Sequence, residues 1–263
     1  MHLPSPCGAV ACLSLLLFPR HHRHSPIPRK FGIILGTRTT VVTEDDDDAA
    51  GGRFGSRAYW NDRYTNSSKA STSGFSWYSG WDELEPFVRE LIPDTDTSIL
   101  LPGVGNDPLL RDLYIQGGYP HLAAFDYAPA GVACARALLK ETNTVPIVIA
   151  DARDLSGVYT DNQFGAVIEK GTLDAIYLSG GMDKRLGSEN LDCAVRELAR
   201  VTSGLLISIT AACTDAVQES LHSILLGGET GQWEEIRNGE FYSTEDGYTS
   251  NNIDGTLFAW RRK

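Results

Sequence analysis

In "WDELEPFVRELI" the apolar residues Leu84, Phe87, Val88 and Leu91 fall at i, i+3, i+4 and i+7, the one-sided stripe of an amphipathic helix. The period then changes. Ser98–Leu101 is an apolar run of strand length, followed by a helix from Pro108 to about Gln116. "HLAAFD" is a strand, and "APAGVACARALLK" a helix with Pro129 near its first turn. "PIVIAD" and "FGAVIEK" are two more short apolar strands. "NLDCAVRELARV" places Leu191, Ala194, Val195, Leu198 and Val201 on one helical face. "GLLISIT" reads as a strand, and "TDAVQESLHSILL" as a helix with Thr214 placed to cap it. Two strands, "QWEEIRN" and "TLFAWRRK", follow on either side of a polar, glycine-containing loop. "YLSGGMDKRLGSE", Tyr177–Glu189, reads as a loop.

Repeated strand–helix alternation predicts an α/β fold with helices on both faces of a mostly parallel sheet. The last two strands break the alternation, which predicts an antiparallel strand at one edge. The expected architecture is a Rossmann-like, doubly wound, seven-stranded sheet.

Charge divides the chain in two. No acid occurs before Glu44, whereas Arg20, Arg23, Arg29, Lys30 and Arg38 all do. Taking those five from 23 basic residues leaves 18 against 34 acids, a net of −16 for the remainder. A body this acidic repels phosphate backbones and favours a basic partner, so nucleic acid is not expected as its ligand. "CGAVACLSLLLF", Cys7–Phe18, is too short to cross a bilayer as a helix. It suits the apolar region of a secretory signal, and the acid-free stretch after it suits a transit peptide. A disordered extension fits equally well, so the compartment, cytoplasmic or organellar, stays open. "TEDDDDAAGG" reads as a solvated linker, which sets the expected domains at residues 1–55 for the leader and 56–263 for one folded body. The five cysteines show no CxxC and no zinc-type spacing, so no metal site is expected and the thiols read as buried.

The chemistry concentrates in "ILLPGVGNDPLL", Ile99–Leu110. Gly103 and Gly105 permit a tight turn and close approach of a ligand. A dinucleotide site asks for a third glycine where the helix begins, and here stands Pro108, preceded by Asp107. Asp107 suits an N-cap, which answers the helix dipole with a carboxylate and disfavours a pyrophosphate. Asp126 ends the second strand, 23 residues beyond Gly103, where an acid can hold both ribose hydroxyls. Asp151 ends the third, where adenine meets the sheet. Ribose and adenine without pyrophosphate, in an acid-lined cleft, point to S-adenosylmethionine, whose sulfonium is cationic.

"YWNDRY", "FSWY", "GVGN", "FDY", "ADARDL" and "VIEKGTLDA" occur in this order between Tyr59 and Ala175. In these motifs the sequence resembles the class I methyltransferases grouped with the elongation factor 1-alpha lysine methyltransferases, over roughly residues 57–210. The resemblance implies that Trp60, Tyr64 and Trp77 are lid residues over the cofactor. It implies glycine-turn contacts at Gly103 and Gly105, a ribose–adenine contact at Asp126 and Tyr127, and an adenine contact at Asp151 and Ala152. It also implies a contact at Lys170. An ammonium beside a sulfonium is repelled, so a backbone contact or pairing with an acid such as Glu169 is expected there. Asp107 departs from the small hydroxyl residue usual after "GxGN".

The implied reaction is methyl transfer to a lysine of a basic protein, with Glu169 as the candidate acid to receive the amine's proton. Tyr59, Trp60, Tyr64, Trp77 and Tyr78 supply rings that could desolvate a lysine; they could instead staple the first helix to the core. A small-molecule methyltransferase and a non-catalytic relative stay open. Absence of an "NPPY" tetrapeptide after the fourth strand disfavours Asn, Gln or nucleobase acceptors.

Overall fold

The computed structural model describes residues 52–66, 74–139, 144–227, 232–239 and 255–263. The leader and most of the linker, where the targeting readings fall, lie outside the described residues. A 3₁₀ turn, Gly52–Gly55, opens the described chain and buries Phe54. This turn lies just ahead of Ser56, where the folded body is expected to start.

Helix α1, Arg57–Asn66, follows. The Tyr59 amide donates to the Ser56 hydroxyl across its first turn, and Trp60 and Tyr64 lie one helical turn apart on its buried side. Then come α2 (Trp81–Leu91), β1 (Ile99–Pro102), α3 (Leu109–Ile115), β2 (Leu122–Asp126), α4 (Pro129–Leu138) and β3 (Ile147–Ile149). The second half comprises β4 (Phe164–Lys170), α5 (Thr172–Leu178), α6 (Lys184–Val201), β5 (Thr202–Thr210), α7 (Thr214–Leu221), β6 (Trp233–Asn238) and β7 (Thr256–Arg262).

All seven strands form one sheet in the order β3-β2-β1-β4-β5-β7-β6. β7 runs antiparallel to both β5 and β6, so the reversed strand lies just inside the rim. Alternate residues enter opposite layers. Ile99 and Leu101 of β1, Ala166 and Ile168 of β4, and Ile207 and Ile209 of β5 pack towards α2, α3 and α4. Leu100, Val167 and Leu206 pack on the other face with α6 and α7. Burial on both faces is why these strands read as continuous apolar runs.

Three local readings need correction. "YLSGGMDKRLGSE" is a loop only between α5 and α6, because Asp183 caps α6 by accepting from the Leu186 amide. The α7 N-cap position belongs to Cys213, and Thr214 is the first helical residue. Of the described cysteines Cys134 is buried, Cys213 half-buried and Cys193 exposed, so burial does not extend to all three. Among the described residues no helix is long and apolar enough to cross a membrane, and no cluster of metal-ligating side chains occurs.

Candidate active site

The parallel half of the sheet switches direction between β1 and β4, and the crevice outside their carboxyl ends is where a doubly wound fold binds ligands. The β1–α3 turn borders it. Gly103 (φ 59°) and Gly105 (φ 47°) both take left-handed backbone, which a side chain would strain. A Cβ at Gly103 would run into the Thr172 hydroxyl, and one at Gly105 into the Tyr64 hydroxyl.

Asp126, at the end of β2, faces this turn. One carboxylate oxygen accepts the Gly105 amide and the other the Ala128 amide, each at 2.8 Å. Each oxygen keeps a further lone pair for a diol. Burial pushes the Asp126 carboxyl up to about 6, against the opposing pull of the two amides. Gly131, in the first turn of α4, makes the approach possible, since a Cβ there would stand 2.8 Å from the Asp126 carboxyl carbon. Sequence reading passed over Gly131; a glycine in a helix's first turn beside a strand-end acid was the available signal.

Beside Asp126, β3 ends against β2 through the Ala150 amide, which donates to the Asp126 carbonyl. Asp151 pairs with Arg153 at 2.7 Å. Burial works to raise Asp151, but the hydrogen bonds and charge of Arg153 hold it below the usual carboxylate range. Ala152 is buried. The Tyr127 hydroxyl donates to the Gly55 carbonyl, 3.1 Å away, which ties the N-terminal 3₁₀ turn to the end of β2.

Over this floor lies an aromatic layer. Trp60 stacks on Tyr64 (centroids 5.6 Å apart, planes at 24°) and meets Trp77 edge-on at 6.0 Å. The Trp60 indole N–H donates to the Phe54 carbonyl. The Asn61 carboxamide oxygen accepts the Ala130 amide, so α1 supplies a partner to the first turn of α4. Tyr64 closes over Gly105 beside the Asp126 carboxylate, and burial with that charge pushes its phenol well above its ordinary range. Asp126 is only 3% exposed. Trp60, Tyr64 and Trp77 thus gather on the side of the turn where Gly105 and Asp126 lie. Phe54, Asn61 and Thr172 also join the site; Asn61 and Thr172 lie within "YWNDRY" and "VIEKGTLDA", whereas Phe54 lies outside every quoted motif.

Lys170 and Glu169 part company. Lys170 pairs with Asp107 (Nζ–Oδ2 2.5 Å) and not with Glu169, its neighbour in sequence, because successive strand residues point to opposite faces. The other Asp107 oxygen accepts the Leu109 amide at 2.9 Å, and the Asp107 amide itself donates to the Val104 carbonyl. Both amides are therefore spent within the protein, and little is left at the start of α3 for a pyrophosphate. Glu169 is fully buried. It accepts from the Ser208 hydroxyl and from the Leu173 amide at the start of α5. Burial and the nearby Asp174 push it up to about 8, while those hydrogen bonds pull the other way. A carboxyl in this position anchors the β4–α5 turn to β5 and presents no surface to a substrate.

The fold is that of the class I methyltransferases. The magnesium protoporphyrin IX methyltransferase ChlM of Synechocystis, solved with bound SAM, matches 86% of this chain and all of its own at a TM-score of 0.51 and 13% identity. The [4+2]-cyclase SpnF matches at the same TM-score and 17% identity, so the shared architecture does not define one reaction. In sequence the chain is similar to the eEF1A lysine methyltransferases. It is 32% identical to EEF1A lysine methyltransferase 4 of Bos taurus over 164 residues, 59% of this chain and 60% of that protein. It is 24% identical to the mitochondrial citrate synthase-lysine N-methyltransferase CSKMT of Homo sapiens over 141 residues, 47% of this chain and 59% of that one. The chain thus spans 60% of the length of the EEF1A lysine methyltransferase 4 proteins it matches. No family model matches it.

Proposed function

We propose that this chain is an S-adenosylmethionine-dependent methyltransferase whose acceptor is a lysine of a basic protein, with translation elongation factor 1-alpha as that protein. One observation carries the cofactor half. The glycine turn and Asp126 form a nucleoside cradle, while Asp107 occupies the helix start that a dinucleotide's pyrophosphate would need. The chemistry of the donor set fits S-adenosylmethionine, which has a diol for Asp126, an adenine for the β3 end near Asp151 and Ala152, and no pyrophosphate. When bound, it supplies an electrophilic methyl on a sulfonium.

The chain's own residues align and desolvate. Asp126, held by two amides, meets the ribose without rearranging its own carboxylate. Trp60, Tyr64 and Trp77 exclude water above it. A lysine amine, with an ordinary pKa near ~10.4, must lose its proton before it can act as nucleophile. Aromatic surroundings favour the neutral amine and receive the ammonium on arrival through their ring faces. Glu169 serves this site by fixing the β4–α5 turn; the lysine gives its proton to solvent as it enters the aromatic surroundings, where desolvation favours the neutral amine.

The similarity to lysine methyltransferases supports the acceptor half, as does the net charge of −16 carried by residues 44–263. The test is incubation of the purified chain with S-adenosylmethionine and purified elongation factor 1-alpha, read by peptide mass spectrometry. Methyl-lysine on the factor is the expected result. An unmodified factor, with a small molecule methylated instead, would overturn the acceptor assignment.

A further inference from the structure

The segment Phe75–Ser79 crosses from α1 to α2 and carries Trp77 and Tyr78 to the site. Two of its attachments converge on one cation. Lys170, at the end of β4, is 5% exposed at its side chain. Its ammonium donates to the Ser76 hydroxyl at 2.9 Å, to the Trp77 carbonyl at 2.5 Å and to Asp107 Oδ2 at 2.5 Å. An ammonium has three N–H donors, and all three are engaged. Nothing is left over at the ammonium for a ligand, so in this geometry any contact of Lys170 with the cofactor falls to its backbone.

The acceptors belong to two parts of the site. Asp107 sits at the start of α3, just after the glycine turn. Ser76 and Trp77 are the strap itself, and the Phe75 amide adds a bond to the Asn106 carbonyl at 3.0 Å. Tyr78, which follows, takes left-handed backbone (φ 67°) and reaches Asp174 of α5 with its hydroxyl at 3.4 Å. The strap therefore spans from the nucleoside side of the crevice, at Asn106 and Asp107, to the β4–α5 side, at Asp174. Lys170 stands where the two sides meet.

We propose that Lys170 is a positioning residue: through Asp107 and the Trp77 carbonyl it latches the Phe75–Ser79 strap across the crevice, and the latched strap sets the affinity for the nucleoside cofactor. The inference rests on the cofactor reading above. If unlatching leaves the strap closed in a tenth of molecules or fewer, apparent affinity falls roughly tenfold or more.

The experiment pairs calorimetric titration of S-adenosylhomocysteine with amide hydrogen exchange, on the full chain and two variants. Lys170→Met removes the latch but strands the Asp107 carboxylate; Lys170→Met with Asp107→Asn removes both charges and guards against simple misfolding. The latch predicts an affinity loss of roughly tenfold or more in both variants. It also predicts faster exchange at the Phe75 and Ser79 amides, with the β4 and β5 amides still protected. Unchanged protection of the strap would show that the ammonium is not the latch. A fast-exchanging strap with affinity within about twofold of the parent would show that the strap does not set binding. Failure of the unaltered chain to bind the probe would instead count against the cofactor reading, and the exchange data would still decide the latch.

Discussion

Two buried carboxyls, Asp126 and Glu169, stand at strand ends about the same crevice and do different work. Asp126 is turned to the nucleoside cradle, and its ionised form is the one that accepts from a diol. Replacing it with alanine removes a charge-assisted bidentate contact, which should cost about 1.5–3 kcal/mol of binding. That is roughly tenfold to more than a hundredfold in S-adenosylmethionine affinity by calorimetry. Because burial raises its carboxyl to about 6, affinity should also fall as pH drops below about 6. An Asp126→Ala variant that binds as the parent does would remove the ribose assignment. Glu169 is a stability group. Its carboxyl rises from 4.5 to about 8 in the fold, so the folded protein keeps a proton that the unfolded chain releases. The stability contributed is complete below about pH 4.5 and is lost as pH rises through 8. At pH 7 the loss is roughly 3 kcal/mol. Glu169→Gln, neutral and of the same shape, should therefore gain on the parent between pH 5 and pH 8 in urea unfolding. Parallel stability curves for the two proteins would contradict this account.

The elements around the cradle differ in how openly the sequence announces them. β1, β2 and β4 are continuous apolar runs bounded by turns, and the Gly103–Gly105 turn with Asp126 follows from their order. α1 was not legible as a helix, because Trp60 and Tyr64 make a single i, i+4 pair with no further apolar positions to extend it into a stripe. The Lys170–Asp107 pair was not legible either. The two residues lie 63 positions apart, and only the β1–β4 adjacency brings them together. The acid that seemed to await a cationic ligand is answered by the protein's own lysine. The turn Gly52–Gly55 looked like linker, yet Phe54 packs edge-on against Tyr59 and Trp77 and accepts from Trp60 through its carbonyl. Phe54→Ala should accordingly destabilise the fold by about 3 kcal/mol, and thermal unfolding checks it. A change of a few tenths would show that Phe54 adds little to the core.

For the whole molecule, the apolar pattern read correctly to a seven-stranded, mostly parallel sheet, because burial on both faces leaves so few alternatives. The acceptor is not readable in the same way, since the motifs that carry the resemblance end by Thr210 and acceptor surfaces are not periodic. What the whole chain does offer is charge. An acidic body should steer a basic partner, so apparent affinity for the acceptor should fall as salt rises, measured as KM for the acceptor at increasing ionic strength. Salt-independent KM would count against steering. The most direct measurement of the central claim is labelling of a cell lysate with the purified chain and S-adenosylmethionine carrying a tritiated methyl, beside the Asp126→Ala variant. The account predicts label in protein, mapped by mass spectrometry to methyl-lysine on a basic polypeptide and strongly reduced with the variant. Label confined to small molecules or nucleic acid, or equal labelling by both proteins, would contradict it.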